Sequence, residues 1–492
     1  MKKINEAVSP VTRPEKIMQY GEGGFLRAFV DWMIDILNEK SGFNGNVVIV
    51  QPLERGMGDV LNSQEGLYTT VLRGVQKGQT TEEIRTIRSV SRCINPYSAH
   101  EEYMRCAENP DLRFVISNTT EAGIAYSPDD KPEDKPQKSY PGKVTAFLYR
   151  RFTHFAGDTA KALVFIPCEL IDKNGDKLKE IVLRYATEWN LGDDFLKWLA
   201  ACDFCNSLVD RIVTGYPKDE AAALCEKIGC EDQLLDTAEI FHLWVIETKR
   251  DYSEELPFGK AGLNVIWTDD MSFYRTRKVR ILNGAHTSSV LAAFQYGLNT
   301  VEECTKDKLV HAFMHKVIFD EIIPSMNGST EELTQYANDV LERFANPYIK
   351  HLLLSISLNS VSKFKTRVLP SITGYIAKQG KIPPALSFSL AALFSFYKGK
   401  DFASGSLTGR RGTETYAITD DEPVLKEFEA LYAAHDAATE AGAAAVVQGV
   451  LKKADWWGED LTAIKGFAEA VSGALLLIQS KGMKAALEEV TK

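Results

Sequence analysis

Lys16-Ile17-Met18-Gln19-Tyr20-Gly21-Glu22-Gly23-Gly24-Phe25-Leu26-Arg27-Ala28 is the stretch that decides the fold class. Lys16 to Tyr20 reads as a short strand and Gly21 to Phe25 as a glycine-rich turn. Leu26, Phe29, Val30, Met33 and Leu37 then recur at helical spacing through Lys40. Strand, glycine turn and helix form the context that a dinucleotide-binding fingerprint requires. Gly21 and Gly23 stand at its first two glycine positions, but the third holds Leu26, so the fingerprint is incomplete. Its physics survives the change, because free amides at a helix N-terminus meet a pyrophosphate.

Outward from this turn the pattern repeats. Residues 46–51 read as a second strand, with Glu54 just beyond it. An acid there accepts hydrogen bonds from ribose hydroxyls and repels the extra phosphate of NADP; it also suits an exposed loop. Residues 112–117 read as a third strand. It ends in Asn118-Thr119-Thr120-Glu121-Ala122-Gly123, small and polar residues where an open α/β sheet takes its ligand. Helical patterns at 141–155 and 176–189 alternate with strand patterns at 162–168, 206–213 and 240–247. The alternation predicts an α/β fold, with a Rossmann-like, mostly parallel sheet domain over residues 1–276. Beyond Arg277 helical periods dominate, at 308–326, 330–344, 384–398, 423–445 and 461–492. Polar, glycine-containing loops are expected near 374–383 and 399–421. A mainly α-helical second domain is thus expected over 277–492.

With 45% hydrophobic and 25% charged residues among 492, the chain has enough apolar material for two sizeable cores. A net charge of −10 argues against nucleic acid or an anionic membrane surface as the main partner. The first residues hold no apolar signal region and no apolar run is long enough to span a bilayer, so a cytoplasmic location is expected. Eight cysteines make no disulfide framework. Cys202, Cys205, Cys225 and Cys230 are four thiols that could hold structural zinc. Their second pair has a wide spacing and a strand-like run separates the pairs, so buried thiols and no metal are the expectation.

A second stretch carries chemistry: Arg277-Lys278-Val279-Arg280-Ile281-Leu282-Asn283-Gly284-Ala285-His286. On a regular helix Asn283 lies about 140° round from Lys278 and His286 about 80° round, on one broad face. The rise from Lys278 to Asn283 is roughly 7.5 Å, within reach of a lysine stem. An amine, a carboxamide and an imidazole converging on one oxygen suit carbonyl–alcohol interconversion: proton exchange, alkoxide stabilisation and orientation. The same three residues would equally make a solvated helix face.

At Lys278-x4-Asn283-x2-His286 the chain resembles the polyol-specific long-chain dehydrogenase, or mannitol dehydrogenase, family. The resemblance extends over Ile17 to Ala28, Glu65-Gly66-Leu67-Tyr68-Thr69, Thr120-Glu121-Ala122-Gly123, Pro141-Gly142-Lys143-Val144-Thr145, Asn206 to Ile212 and Lys381-Ile382-Pro383. It implies an oxidoreductase with NAD as cofactor, bound by residues 17–28, Glu54 and Asn118. It implies Lys278 as general acid/base, Asn283 as the group that polarises the carbonyl, and His286 as the group that orients the substrate. Asp210 would help pass protons and Lys381 would line the substrate cleft. Two departures stand out. Cys168-Glu169-Leu170 has Leu170 where the polyol enzymes carry a second oxyanion-hole Asn, and Arg275 replaces a Glu three residues before the lysine. A guanidinium pairs with a carboxylate that a Glu would repel, so a sugar acid is the expected substrate, with Arg275 helping to select it. Reductases of another uronate, mannitol-type dehydrogenases and a non-catalytic NAD(H)-sensing module stay open, as does oligomeric state.

Overall fold

Six short strands carry the first half of the chain: β1 (Glu15–Tyr20), β2 (Asn46–Val50), β3 (Val90–Ile94), β4 (Phe114–Ser117), β5 (Val164–Pro167) and β6 (Asp203–Phe204). All neighbours pair in parallel, in the order β3-β2-β1-β4-β5-β6. A parallel sheet covered on both sides needs strands that are apolar on both faces. Residues 46–50 are buried throughout, with Val47 and Ile49 in one core and Val48 and Val50 in the other. The helix that follows the glycine turn packs into the first core through Phe29, Met33 and Leu37. Tyr140–His154 and Asn174–Glu188 pack into the second through Phe147, Leu148, Leu178 and Val182. The strand order reverses between β1 and β4, and the carboxyl ends of these two strands are therefore where the sheet opens a crevice for a ligand.

The computed structural model describes residues 1–492 and divides into two units. The first is Met1–Gly74 with Thr80–Ser272; the second is Val75–Gln79 with Phe273–Lys492. The first unit also carries a three-stranded sheet of Asn206–Asp210, Leu243–Glu247 and Val265–Thr268. The strand pattern at 206–213 breaks after Asp210, because Arg211 turns its guanidinium inward onto the carbonyls of Ala28, Ile240 and Phe241. Cys202 belongs to one core of the parallel sheet and Cys205 to the other, so this pair does not converge on a common point.

The second unit is mainly helical. Pro384–Phe396 is buried around its whole circumference, as a central helix must be. The loop expected near 374–383 is confined to 380–383, and the one expected near 399–421 holds a sheet. Gly374 lies inside the helix Leu369–Gln379, where a Cβ would come within 2.9 Å of the Ser325 carbonyl, so the glycine serves close packing and not a turn. Residues 399–421 hold a three-stranded antiparallel sheet, Gly399–Ala403, Ser406–Arg411 and Glu414–Thr419. Only Leu407, Tyr416 and Ile418 mark its inner face, so a period of two was hidden among polar residues. The helical pattern at 423–445 is two helices, Glu422–Ala434 and Glu440–Leu451.

Candidate active site

In the first unit the glycine turn leaves β1 at the crevice. Gly21 has φ +122°, and a Cβ there would stand 3.0 Å from the Asn118 carbonyl and 3.2 Å from Leu26 Cδ1. Asn118, just past β4, returns its amide to the Tyr20 carbonyl at 3.1 Å. The two strand ends are thereby laced together, and the leucine at the third fingerprint position packs against the first glycine. Nothing lies within 4 Å of a Cβ on Gly23, which caps the helix starting at Gly24. An open glycine at a helix N-terminus is the cradle a pyrophosphate fills, so these residues fit a dinucleotide. Glu54 is exposed beyond β2, on the loop held by Gln51 Nε2, which donates to the carbonyls of Leu53 and Glu54.

The other members of the 17–28 stretch support the turn from behind. Ile17, Met18, Tyr20, Leu26 and Ala28 are core residues. Gln19 donates to the Gly21 carbonyl at 3.0 Å and faces Asp31, and Glu22 accepts from the Met57 amide. Phe25 stacks on Phe29. Arg27 is buried, donating to the carbonyls of Glu22 (3.1 Å) and Leu234 (2.7 Å) with Asp236 at 3.6 Å. Its guanidinium braces the turn from inside. After Gly24 the helix passes through a π turn, Arg27–Asp31.

Sequence reasoning missed three carboxylates here: Glu169, which was noted only as a neighbour of Leu170, and Asp31 and Asp236, which belong to no motif. Glu169 at the end of β5 accepts from Ser117 and from the amide and hydroxyl of Thr119, tying β5 to β4. Asp31 and Asp236 lie beneath the turn, fully buried, with Asp236 within 3.0 Å of a Cβ on Gly24. Burial pushes both up to about 7. Unfolded aspartate titrates near about 3.9. The folded chain thus keeps protons that the unfolded chain has released, and these groups lower stability progressively as pH rises from about 4 to about 7. His242, held down to about 3 by burial, acts the other way and costs stability as pH falls below its unfolded value of about 6.5. Asp31→Asn is therefore expected to gain melting temperature relative to wild type at pH 8 over pH 5. Calorimetry giving the same difference at both pH values would contradict this.

Asp210 ends the strand Asn206–Asp210 and is buried. Leu170 is two-thirds exposed, at 67%.

In the second unit Lys278–Asn283 forms a π turn between the helices Ser272–Arg277 and Gly284–Tyr296. This changes the expected geometry. A π turn closes bonds between residues five apart, so Lys278 and Asn283 lie one above the other and not about 140° apart. Such turns recur at functional sites. Gly284 lets the helix pass the Arg367 backbone, whose carbonyl would stand 3.2 Å from a Cβ. Two of the arginines that neighbour Lys278 in sequence turn to partners elsewhere. Arg277 pairs with Glu332 at 2.6 Å and lies over Tyr336 at 4.3 Å. Arg280 turns inward, donating to Ser371 (2.5 Å) and Ser325 (2.8 Å), and burial lowers it to about 10. Arg275 is half-buried on the helix Ser272–Arg277. Lys381 is exposed, its amine 5.9 Å from the Tyr375 ring centre.

His286 lies on Phe344, ring centres 4.1 Å apart, and edge-on to His351 at 5.3 Å. Burial, together with His351, Arg343 and Arg367, holds its imidazole far below the usual histidine range, so it is neutral at pH 7. Its Nε2 is buried and has no hydrogen-bond partner in the structure. A buried polar atom left without a partner costs stability unless a ligand satisfies it. Phe344, His351 and Arg367 are 58 or more residues downstream of His286, so no local spacing announced them.

A dinucleotide cradle on a 3-2-1-4-5-6 parallel sheet, with an amine, a carboxamide and a neutral imidazole on one helical stretch, defines a dehydrogenase of carbonyl–alcohol pairs. Comparison with known proteins makes this particular. The Mannitol dehydrogenase Rossmann domain matches residues 15–258, and the Mannitol dehydrogenase C-terminal domain matches residues 270–479. The chain is 48% identical over 490 residues to altronate oxidoreductases of Escherichia coli O17:K52:H18 and of Shigella flexneri, covering 99% of each chain. Two solved structures share the fold. One is a D-sorbitol dehydrogenase in substrate-free form, with TM-score 0.80, 20% identity, and 99% of this chain and 100% of that one covered. The other is the Pseudomonas fluorescens mannitol 2-dehydrogenase in a ternary complex with NAD and D-mannitol, with TM-score 0.62, 22% identity, and 97% and 94% covered. The chain belongs to the mannitol dehydrogenase family. It is an oxidoreductase acting on CH–OH groups, with a Rossmann domain whose glycine turn fits a dinucleotide. No helix is long and apolar enough to cross a membrane.

Proposed function

We propose that this protein reduces D-tagaturonate to D-altronate with NADH, reversibly, in hexuronate breakdown. The observation that carries the reading is the 48% identity to altronate oxidoreductases across 99% of both chains. The chemistry available at Lys278, Asn283 and His286 supports it. Gly21, Gly23 and the amides that open the helix at Gly24 hold the pyrophosphate, and Glu54 accepts from the adenosine ribose, favouring NADH over NADPH. The hydride comes from the nicotinamide when the cofactor is bound. Lys278 gives its ammonium proton to the oxygen of the ketone as that oxygen becomes an alkoxide. Asn283, one π turn further on, donates a hydrogen bond to the same oxygen, and His286 Nε2 positions the substrate. The family resemblance gives Asp210 a part in passing protons. With Leu170 where a second carboxamide would stand, carbonyl polarisation rests on Asn283. In the reverse direction Lys278 takes the hydroxyl proton.

Arg275 is the group assigned to the sugar-acid carboxylate. Arg275→Glu is expected to raise KM for tagaturonate by about 10-fold or more while changing KM for a neutral ketose little, since the loss of one charge-assisted pair is involved. Equal losses on both substrates would remove Arg275 from the recognition. The overall reading is tested by identifying the product of tagaturonate and NADH by NMR: altronate is expected, and its epimer at the newly formed carbinol carbon, or no product, would overturn it.

A further inference from the structure

The second unit holds a cavity of about 710 Å³ remote from the Lys278 stretch. That volume is in the range of small-molecule sites, about 300–1,000 Å³. Gln295, which lines it, follows Lys278 by 17 residues along the same helical run, roughly 25 Å of rise. The floor is a hydrogen-bonded relay. Lys398 Nζ donates to Gln479 Oε1 (2.8 Å), Gln479 Nε2 donates to Ser395 Oγ (2.8 Å), and Ser395 Oγ donates to Gln295 Oε1 (2.6 Å). Three separate segments thus meet at one polar surface. Tyr416 and Tyr432 form aromatic walls, their hydroxyls tied to the carbonyls of Phe396 (2.9 Å) and Phe394 (2.7 Å). The Tyr416 ring is seated by Gly409, where a Cβ would come within 2.4 Å of Cζ. The walls therefore offer ring surface, and the floor offers amide and hydroxyl groups.

The charge of the cavity is uneven. Of its two carboxylates, Asp401 lies 3.9 Å from Lys400, and Glu429 accepts from the Phe402 amide at 3.3 Å. Lys398 and Arg410 meet no carboxylate; Lys398 is held by the neutral Gln479, and Arg410 is exposed at the rim. Lys398 and Arg410 outnumber Glu429, the one lining carboxylate that no cation pairs, and the cavity is left with one net positive charge. Over an amide-lined floor with aromatic walls this suits an anion that also carries hydroxyls: the charge pairs with Lys398 and Arg410, hydroxyls exchange bonds with the amides, and C–H faces pack on the rings.

We propose that this cavity is a second ligand site of the protein, for a small hydroxylated anion of the sugar-acid or sugar-phosphate class. The test is calorimetric titration of the NADH-saturated protein with D-gluconate, 6-phosphogluconate, inorganic phosphate and neutral D-glucitol, in wild type and in Lys398→Ala/Arg410→Ala. Saturable binding of D-gluconate or 6-phosphogluconate is expected, weakened about tenfold or more in the double variant, whose KM for the ketone substrate stays at the wild-type value. A response to 6-phosphogluconate and not to D-gluconate would assign the anion as phosphate, and a response to both would assign it as carboxylate. The proposal is overturned by any of three results: no saturable heat at millimolar ligand, binding unchanged in the double variant, or D-glucitol or inorganic phosphate binding as tightly as the hydroxylated anions. Both substituted side chains are exposed, so the variant keeps its core.

Discussion

Lys278→Ala is expected to lower kcat for ketone reduction by about 10³-fold, in the range of a lost general acid. The Kd for NADH should not move, because the pyrophosphate cradle is built entirely from the first unit. The loss falls on proton transfer, so it has a signature beyond its size. In single turnovers wild type should show a solvent deuterium isotope effect on the step that moves the hydroxyl proton, and residual activity of the variant should lack it. Stopped-flow measurement in H2O and D2O separates this step from product release. A variant that keeps the effect would assign the proton to another group. Asn283 is the backup within the same π turn: its loss should cost about 10²–10³-fold, as removal of one oxyanion donor does.

Gly21→Val is expected to weaken NADH binding by about a hundredfold. The residue has φ +122°, which a β-branched side chain does not tolerate, and its Cβ would strike the Asn118 carbonyl at 3.0 Å. β1 and β4 would then part at the point where the crevice opens. Gly23→Ala is the sharper comparison. It has ordinary φ of −67° and open space around a Cβ, so its melting temperature should stay at the wild-type value while NADH affinity still falls. Fluorescence titration with NADH beside thermal melts distinguishes the two. Wild-type affinity in both variants would remove the glycine turn from the cofactor site.

The α/β class of the first half was readable because strands such as residues 47–50 are apolar throughout and alternate with helical periods. The glycine turn was readable because its backbone demand falls on residue type. The same logic failed at Gly374, where a glycine answers to a neighbouring carbonyl in a distant segment. It failed again at 399–421, where three inward residues carry the sheet. At the candidate site, Lys278, Asn283 and His286 were singled out by spacing and by the family resemblance, on the assumption of a regular helix. The π turn depends on hydrogen bonding that no residue type announces, and it changes which residues align. Arg277 and Arg280 stand beside Lys278 in sequence. Their partners, Glu332, Ser325 and Ser371, come from elsewhere in the chain and turn both inward or aside. The surroundings of His286, which fix its charge, come from residues 344, 351 and 367 and were out of reach of any local pattern.

The most direct test of the central claim is NADH oxidation by the purified protein, followed by absorbance, against D-tagaturonate, D-fructuronate, D-fructose and fructose 6-phosphate, repeated with NADPH. Turnover with NADH that is far faster on tagaturonate than on the other three, and weak with NADPH, is the predicted result. Faster turnover on a neutral or phosphorylated ketose would contradict the sugar-acid assignment and the role given to Arg275, and NADH binding without turnover on any of the four would contradict the catalytic role of Lys278.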